Sequence, residues 1–153
     1  MTDVELAGAL ANRGDQPLGQ WCPMERSLAL LGNRVSFVLL REVAYGTTRF
    51  DHLVKRVGVT ESVAARRLRE LVDAGVLTKV PYQEPGQRQR FEYALTDAGH
   101  ELLPVLLSLH AWGSRHIPGR APRLRHEDCG APVTVKLVCE NGHDLTEEII
   151  EVG

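Results

Sequence analysis

The sequence predicts a mainly α fold with a small β-hairpin, an α+β class, and three observations carry that reading. Between Trp21 and Ala74, apolar residues recur at helical spacing in successive segments separated by glycines or good capping residues. After Gly75 the period falls to about two over two short runs. It then returns to helical spacing in a long stretch through Trp112.

Residues 1–20 read as a flexible N-terminal arm, because Gly8, Gly14, Pro17 and Gly19 interrupt any helical pattern beyond a turn or two at Val4 to Ala11. At Trp21-Cys22-Pro23 the pattern changes. Proline suits the first helical position, and Glu25 falls in the first turn, where the positive end of the helix dipole favours a carboxylate. That helix stops at Gly32. A second, residues 34–44, sets Val35, Val38, Leu39 and Val43 near one face and ends before Gly46. Thr47 or Thr48 caps a third, residues 49–57, with Phe50, Leu53, Val54 and Val57 on its apolar side.

Gly58-Val59 makes a tight break, and Thr60 caps a fourth helix, residues 61–74. With Leu68 at the centre of its buried face, Ala64, Leu71 and Val72 lie beside it, and Ser62, Arg66, Arg69 and Glu70 fall on or near the opposite side. Residues 76–80 and 90–95 read as strands joined by a polar turn. Thr96 or Asp97 then caps a long helix whose Leu102, Leu103, Val105, Leu106, Leu109, Ala111 and Trp112 form a stripe wider than one small domain readily hides.

Three helices, a recognition helix, a hairpin and a long helix, in that order, make a winged helix-turn-helix followed by a dimerisation helix. We assign it to residues 21–117. Pro118, Gly119 and Pro122 open a linker into a small acidic C-terminal lobe, residues 118–153, expected to form a β-hairpin around Val133 to Val138.

Composition narrows the function. No apolar run approaches the roughly 20 residues that span a bilayer, and the N-terminus lacks the basic and apolar regions of a secretion signal, so the expectation is a cytoplasmic protein with no membrane partner. Three cysteines are too few and too unevenly placed for a disulfide scaffold. The net charge of −2 conceals a segregation: residues 26–90 hold 12 Lys/Arg against 6 Asp/Glu, and residues 126–153 hold one Lys against 7 Asp/Glu. A basic centre inside a near-neutral chain is an electrostatic footprint for phosphate, although a solvated surface gives the same count.

A helix-turn-helix lays its second helix in the DNA major groove, which calls for short outward residues and long basic ones. Ser62, Arg66 and Arg69 meet that demand, Arg67 is more lateral and suits a phosphate, and Arg49 and Thr60 flank the turn. Arg88 and Arg90 sit at the hairpin tip, where a wing meets the minor groove or the backbone, and share a face if the strand pairing reaches that far. Solubilising arginines on an exposed face and a solvated loop are the plainer alternatives.

Cys22-Pro23, Tyr45-Gly46, Arg49-Phe50-Asp51-His52-Leu53, Arg67-Leu68-Arg69-Glu70-Leu71, Ala74-Gly75-Val76-Leu77 and Tyr93-Ala94-Leu95-Thr96-Asp97-Ala98-Gly99 together resemble the successive motifs of HxlR-type regulators. Leu102-Leu103-Pro104-Val105 and Leu109-His110-Ala111-Trp112-Gly113 are similar to that family's terminal helix. The resemblance implies a winged helix related to MarR-type regulators. It also implies a homodimeric, DNA-binding repressor or activator; two recognition helices would then face a pseudo-palindromic operator on double-stranded DNA, and the expectation taken forward is a repressor and not an enzyme. A small-molecule or electrophile effector is also implied, since some members sense electrophiles or oxidants through a cysteine placed as Cys22 is.

Cys22 lies at a helix start, where a thiolate is favoured, yet a lone cysteine also serves as a small apolar core residue. In the lobe, His126 with Cys129 and Cys139 with His143 supply four nitrogen and sulfur ligands near glycines, enough to close a structural zinc site. The irregular second spacing leaves a metal-free, degenerate ribbon as the alternative. For the whole chain the main rival is a winged helix that binds protein rather than DNA. A cysteine enzyme built on Cys22 is the third reading, and no recognisable motif sets a histidine beside it.

Overall fold

The computed structural model describes residues 2–153. In chain order the elements are β1 (Asp3–Leu6), α1 (Gly8–Ala11), a 3-10 turn (Gly19–Trp21), α2 (Pro23–Leu31), α3 (Arg34–Ala44), α4 (Phe50–Val57) and α5 (Glu61–Asp73). There follow β2 (Leu77–Tyr82), β3 (Arg90–Leu95), α6 (Asp97–His100), α7 (Leu103–His116) and β4 (Ile149–Val152). Contacts divide the chain into one unit spanning Gly19–Leu106 and a second made of the N-terminal residues through Leu18 together with Leu107–Gly153.

The first unit is a winged helix. Leu39 and Leu40 of α3, Leu53 and Val57 of α4, Leu68 and Leu71 of α5, Leu77 of β2 and Tyr93 of β3 are buried in one core. α4 and α5 contribute the apolar faces their spacing predicts, whereas the buried side of α3 runs through Ser36, Leu39, Leu40 and Val43 and leaves Val35 and Val38 only half-buried. Local chemistry sets the ends. The Asn33 side chain accepts from Val35 N at 2.9 Å to start α3, and Thr60 Oγ1 accepts from Val63 N at 3.4 Å to start α5. Between α4 and α5 the chain turns through Gly58 at φ 70°, a left-handed conformation that a side chain resists.

The junction of hairpin and last helix is tight. Thr96 caps α6 by accepting from Gly99 N at 3.1 Å, and a Cβ on Gly99 would collide with the Val76 carbonyl oxygen. The long helix expected from Thr96 onward is interrupted at Glu101 and Leu102, giving α6 and α7. Pro104 supplies the reason: it lacks the N–H that would continue the ladder, and its ring crowds the carbonyl four residues back.

β2 and β3 pair antiparallel from Leu77–Leu95 to Tyr82–Arg90. A further rung comes from before α4, where Tyr93 N donates to Thr48 O at 2.8 Å and Arg49 bridges Glu92. The hairpin is thereby joined to the start of the helix-turn-helix.

The second unit holds α7 from Leu107 onward, two small turns and one sheet. β1 and β4 pair in parallel, Asp3 with Ile149 through Leu6 with Val152, so part of the segment expected as an arm is strand. Single bridges, Arg125–Pro132 and Val138–Asp144, close the turns, and the intervening run Val133–Leu137 forms no ladder among the described residues. From residue 117 onward only Leu124, Cys139, Leu145 and Ile150 are even half-buried. No described helix is long and apolar enough to cross a membrane.

Candidate nucleic-acid interface

α5 turns Ala64, Leu68 and Leu71 into the core, which leaves Ser62, Arg66 and Arg69 exposed on the other side. Neither Arg66 nor Arg69 forms an ion pair among the described residues. Burial pushes the Tyr93 phenol above its ordinary range, and the nearby Arg69 charge pulls against that shift, so Arg69 stands close to the base of the hairpin. Arg67 differs from both: it is half-buried, with Nη1 on Glu70 Oε2 at 2.7 Å. The Thr60 hydroxyl is occupied by the cap and lies 3.2 Å from Ser62 Oγ.

At the wing tip, Gln87 N donates to Glu84 O at 3.0 Å and Gln83 Nε2 donates to Gln87 O at 2.9 Å, closing the turn through Gly86. Arg88 and Arg90 are exposed and make no ion pair among the described residues. The ladder ends at Tyr82–Arg90, so Arg88 lies beyond it and pairing does not set the two arginines on a common face.

Arg49 is held differently. Its Nη2 donates to Glu84 Oε1 at 2.8 Å, its guanidinium lies 4.9 Å from the centre of the Tyr82 ring, and the Glu84 hydrogen bond and charge raise its proton affinity further. The residue just before α4 thus grips the far end of the wing. Thr48 adds a bond from Oγ1 to Glu92 Oε2 at 2.9 Å. Residue spacing gave no sign of these ties, because each joins positions far apart in the chain.

Behind the turn, Glu42 is only 7% exposed. It takes Arg41 Nη2 at 2.6 Å and faces Arg56 Nη1 at 3.7 Å. Arg56 also donates to Thr47 Oγ1 at 2.8 Å, so this network locks the end of α3 to α4.

Cys22 is the N-cap of α2, half-buried, and its backbone N–H donates to Gly19 O at 3.1 Å. In the lobe His126 Nδ1 lies 3.3 Å from Cys129 Sγ, and Cys139 N donates to His143 O at 3.1 Å. These four residues fall as separate pairs, and no group of three or more His, Cys, Asp or Glu side chains gathers among the described residues.

A helix-turn-helix whose second helix exposes Arg66 and Arg69 and whose hairpin is joined to it as a wing has the architecture of DNA-binding transcriptional regulators. Residues 30–121 match the family described as HxlR-like helix-turn-helix. The chain belongs to that family. An uncharacterized HTH-type transcriptional regulator of Mycobacterium tuberculosis is 35% identical over 125 residues, covering 79% of this chain and 78% of the relative. One of Synechocystis is 35% identical over 97 residues, covering 63% of this chain and 70% of its own.

Among solved structures, the candidate transcription factor PA1607 is 33% identical with a TM-score of 0.72, covering 83% of this chain and 90% of that one. The redox regulator HypR in its oxidized form is 26% identical with a TM-score of 0.57, covering 64% of this chain and 100% of its own. The reduced form of the transcriptional regulator YodB from B. subtilis is 26% identical with a TM-score of 0.55, covering 65% and 98%.

Proposed function

We propose that this protein is a sequence-specific repressor that binds a pseudo-palindromic operator as a homodimer, with α5 in the major groove and the β2–β3 wing against the backbone. The observation that carries the reading is that Arg66 and Arg69 on α5 and Arg88 and Arg90 on the wing, like Arg26, Arg34, Lys55 and Lys79 elsewhere in the unit, have no ion pair among the described residues, whereas Arg41, Arg49, Arg56 and Arg67 are tied to carboxylates. Internal ion pairs consume the second group; phosphates and base edges are the natural partners of the first. Ser62 contributes a short contact, Arg67 keeps only the terminal nitrogen that Glu70 does not take for a lateral phosphate, and Arg49 and Thr60 serve DNA binding by holding the wing and the start of α5.

Dimerisation is supported by the outer side of α7, where Val105, Leu109 and Trp112 recur at helical spacing and are exposed, and separately by exposed Trp21, Met24 and Leu28. A second copy is the simplest cover for such a stripe. Titration of the purified protein with the DNA upstream of its own coding region, at two salt concentrations and against unrelated competitor, tests the DNA reading. Salt-sensitive preference for the upstream fragment is expected, and failure to bind any duplex at low salt would turn the assignment to a protein-binding module.

A second element of the reading is sensing through Cys22. It rests on the N-cap placement and on structural neighbours named as redox regulators. Cys22→Ser is expected to bind DNA like the parent while losing any response to a thiol-reactive electrophile; a mutant that still responds makes Cys22 structural.

A further inference from the structure

The last turns of α7 and the extended segment after them enclose an open cleft of about 430 Å³. Its size falls within the roughly 300–1,000 Å³ typical of small-molecule sites. His110 Nε2 donates to Pro122 O at 2.9 Å and so ties the segment to the helix. The lining mixes two chemistries: Leu124, Pro132 and Val133 are apolar, and Arg115, Arg123 and Arg125 are cationic. No Asp or Glu lines the cleft, and none occurs anywhere from Leu102 to His126.

Arg115 has a local reason to be there, since it lies in the last turn of α7, where a cation complements the helix dipole. Arg123 and Arg125 have no helix end to serve. Arg125 Nη1 donates to Gly130 O at 3.3 Å, which leaves most of its fork open, and neither Arg115 nor Arg123 forms an ion pair among the described residues. Like charges around one concavity repel each other, and an anion placed between them relieves that repulsion.

We propose that this cleft binds a small amphipathic carboxylate, with its charge held by the Arg123 and Arg125 guanidiniums and its hydrocarbon part against Leu124 and Val133. A DNA backbone would use the arginines but not the apolar walls, which is why the mixed lining favours the small anion. The site stands apart from the DNA reading, and its test needs no DNA.

Amide chemical shifts of the full chain, followed by NMR with sodium benzoate and in parallel with benzyl alcohol, carry the test. Benzoate is expected to move His110, Ala111, Ser114 and residues 121–125 selectively, and benzyl alcohol, which has the same ring without the charge, to leave them in place. Arg123→Gln combined with Arg125→Gln should weaken benzoate binding at least about tenfold. Val133→Glu, which brings a carboxylate to the wall, should abolish it while the amide spectrum of residues 19–106 stays unchanged. Shifts centred elsewhere, equal response to the alcohol, or unaltered binding by the double variant would overturn the proposal. So would a double variant that loses DNA affinity in a protein that never binds benzoate, an outcome that reassigns the arginines to phosphate contact.

Discussion

Ser36 sits in α3 with no solvent exposure, and its hydroxyl has no hydrogen-bond partner among the described residues. Burying an unpaired hydroxyl is costly, so Ser36→Ala is expected to raise stability by about 1 kcal/mol in urea denaturation, helped by the better helix propensity of alanine. Glu42 predicts the opposite sign. Its carboxylate serves Arg41, Thr47 and Arg56 from a buried position, and Glu42→Ala should cost about 2 kcal/mol in the same measurement. On the DNA side, Arg66→Ala and Arg69→Ala should each cost about 1–3 kcal/mol at the preferred site and narrow its margin over other sequences. Arg88→Ala should weaken all sequences alike and reduce the slope of log affinity against log salt by about 1. Competition binding at several salt concentrations separates the two classes, and unchanged affinity in all three variants would remove these contacts from the interface.

At the scale of the elements, the wing is a tethered strand pair. Arg49 reaches Glu84 and Tyr82 from the start of α4, and Thr48 adds a rung to β3. Arg49→Lys keeps the charge but loses the planar fork that stacks and pairs at once. It is expected to lower operator affinity a few-fold while leaving the thermal midpoint of the domain within a degree or two, as befits a half-exposed contact. In the lobe, Asp144 is held down to about 2 by hydrogen bonds from Lys136 and Thr146. A carboxylate with a depressed value stabilises above its ordinary range, so the Val138–Asp144 turn should be intact at pH 5 and loosen as pH falls from about 4 through about 2, visible in the Lys136 and Thr146 resonances. The helices and the β2–β3 hairpin were legible in the sequence because apolar period, capping threonines and glycines all act within a few residues. The Arg49 tether, the single Thr48 rung and the β1–β4 pair join distant positions, and no local pattern marks them. The break before α7 was signalled by Pro104, whose effect the strong apolar stripe around it masked.

For the whole molecule, the testable quantity is its assembly. Leu109→Glu with Trp112→Glu places charge on the exposed stripe of α7 and should convert the proposed dimer to a monomer in analytical ultracentrifugation. The helical circular dichroism should be kept and operator affinity should fall by about a hundredfold, because two linked half-sites bind far more tightly than one. A variant that stays dimeric would move the interface elsewhere. The parallel pairing of Asp3–Leu6 with Ile149–Val152 bears on how the protein is made. β1 is synthesised before the winged helix and β4 after it, so this sheet closes a loop that contains the whole winged helix and forms after that unit has had every opportunity to fold. A product terminated before Ile149 would keep a complete helix-turn-helix and wing but leave the backbone edge of β1 that β4 covers open to any other strand that passes, beside the already exposed Val4 and Leu6.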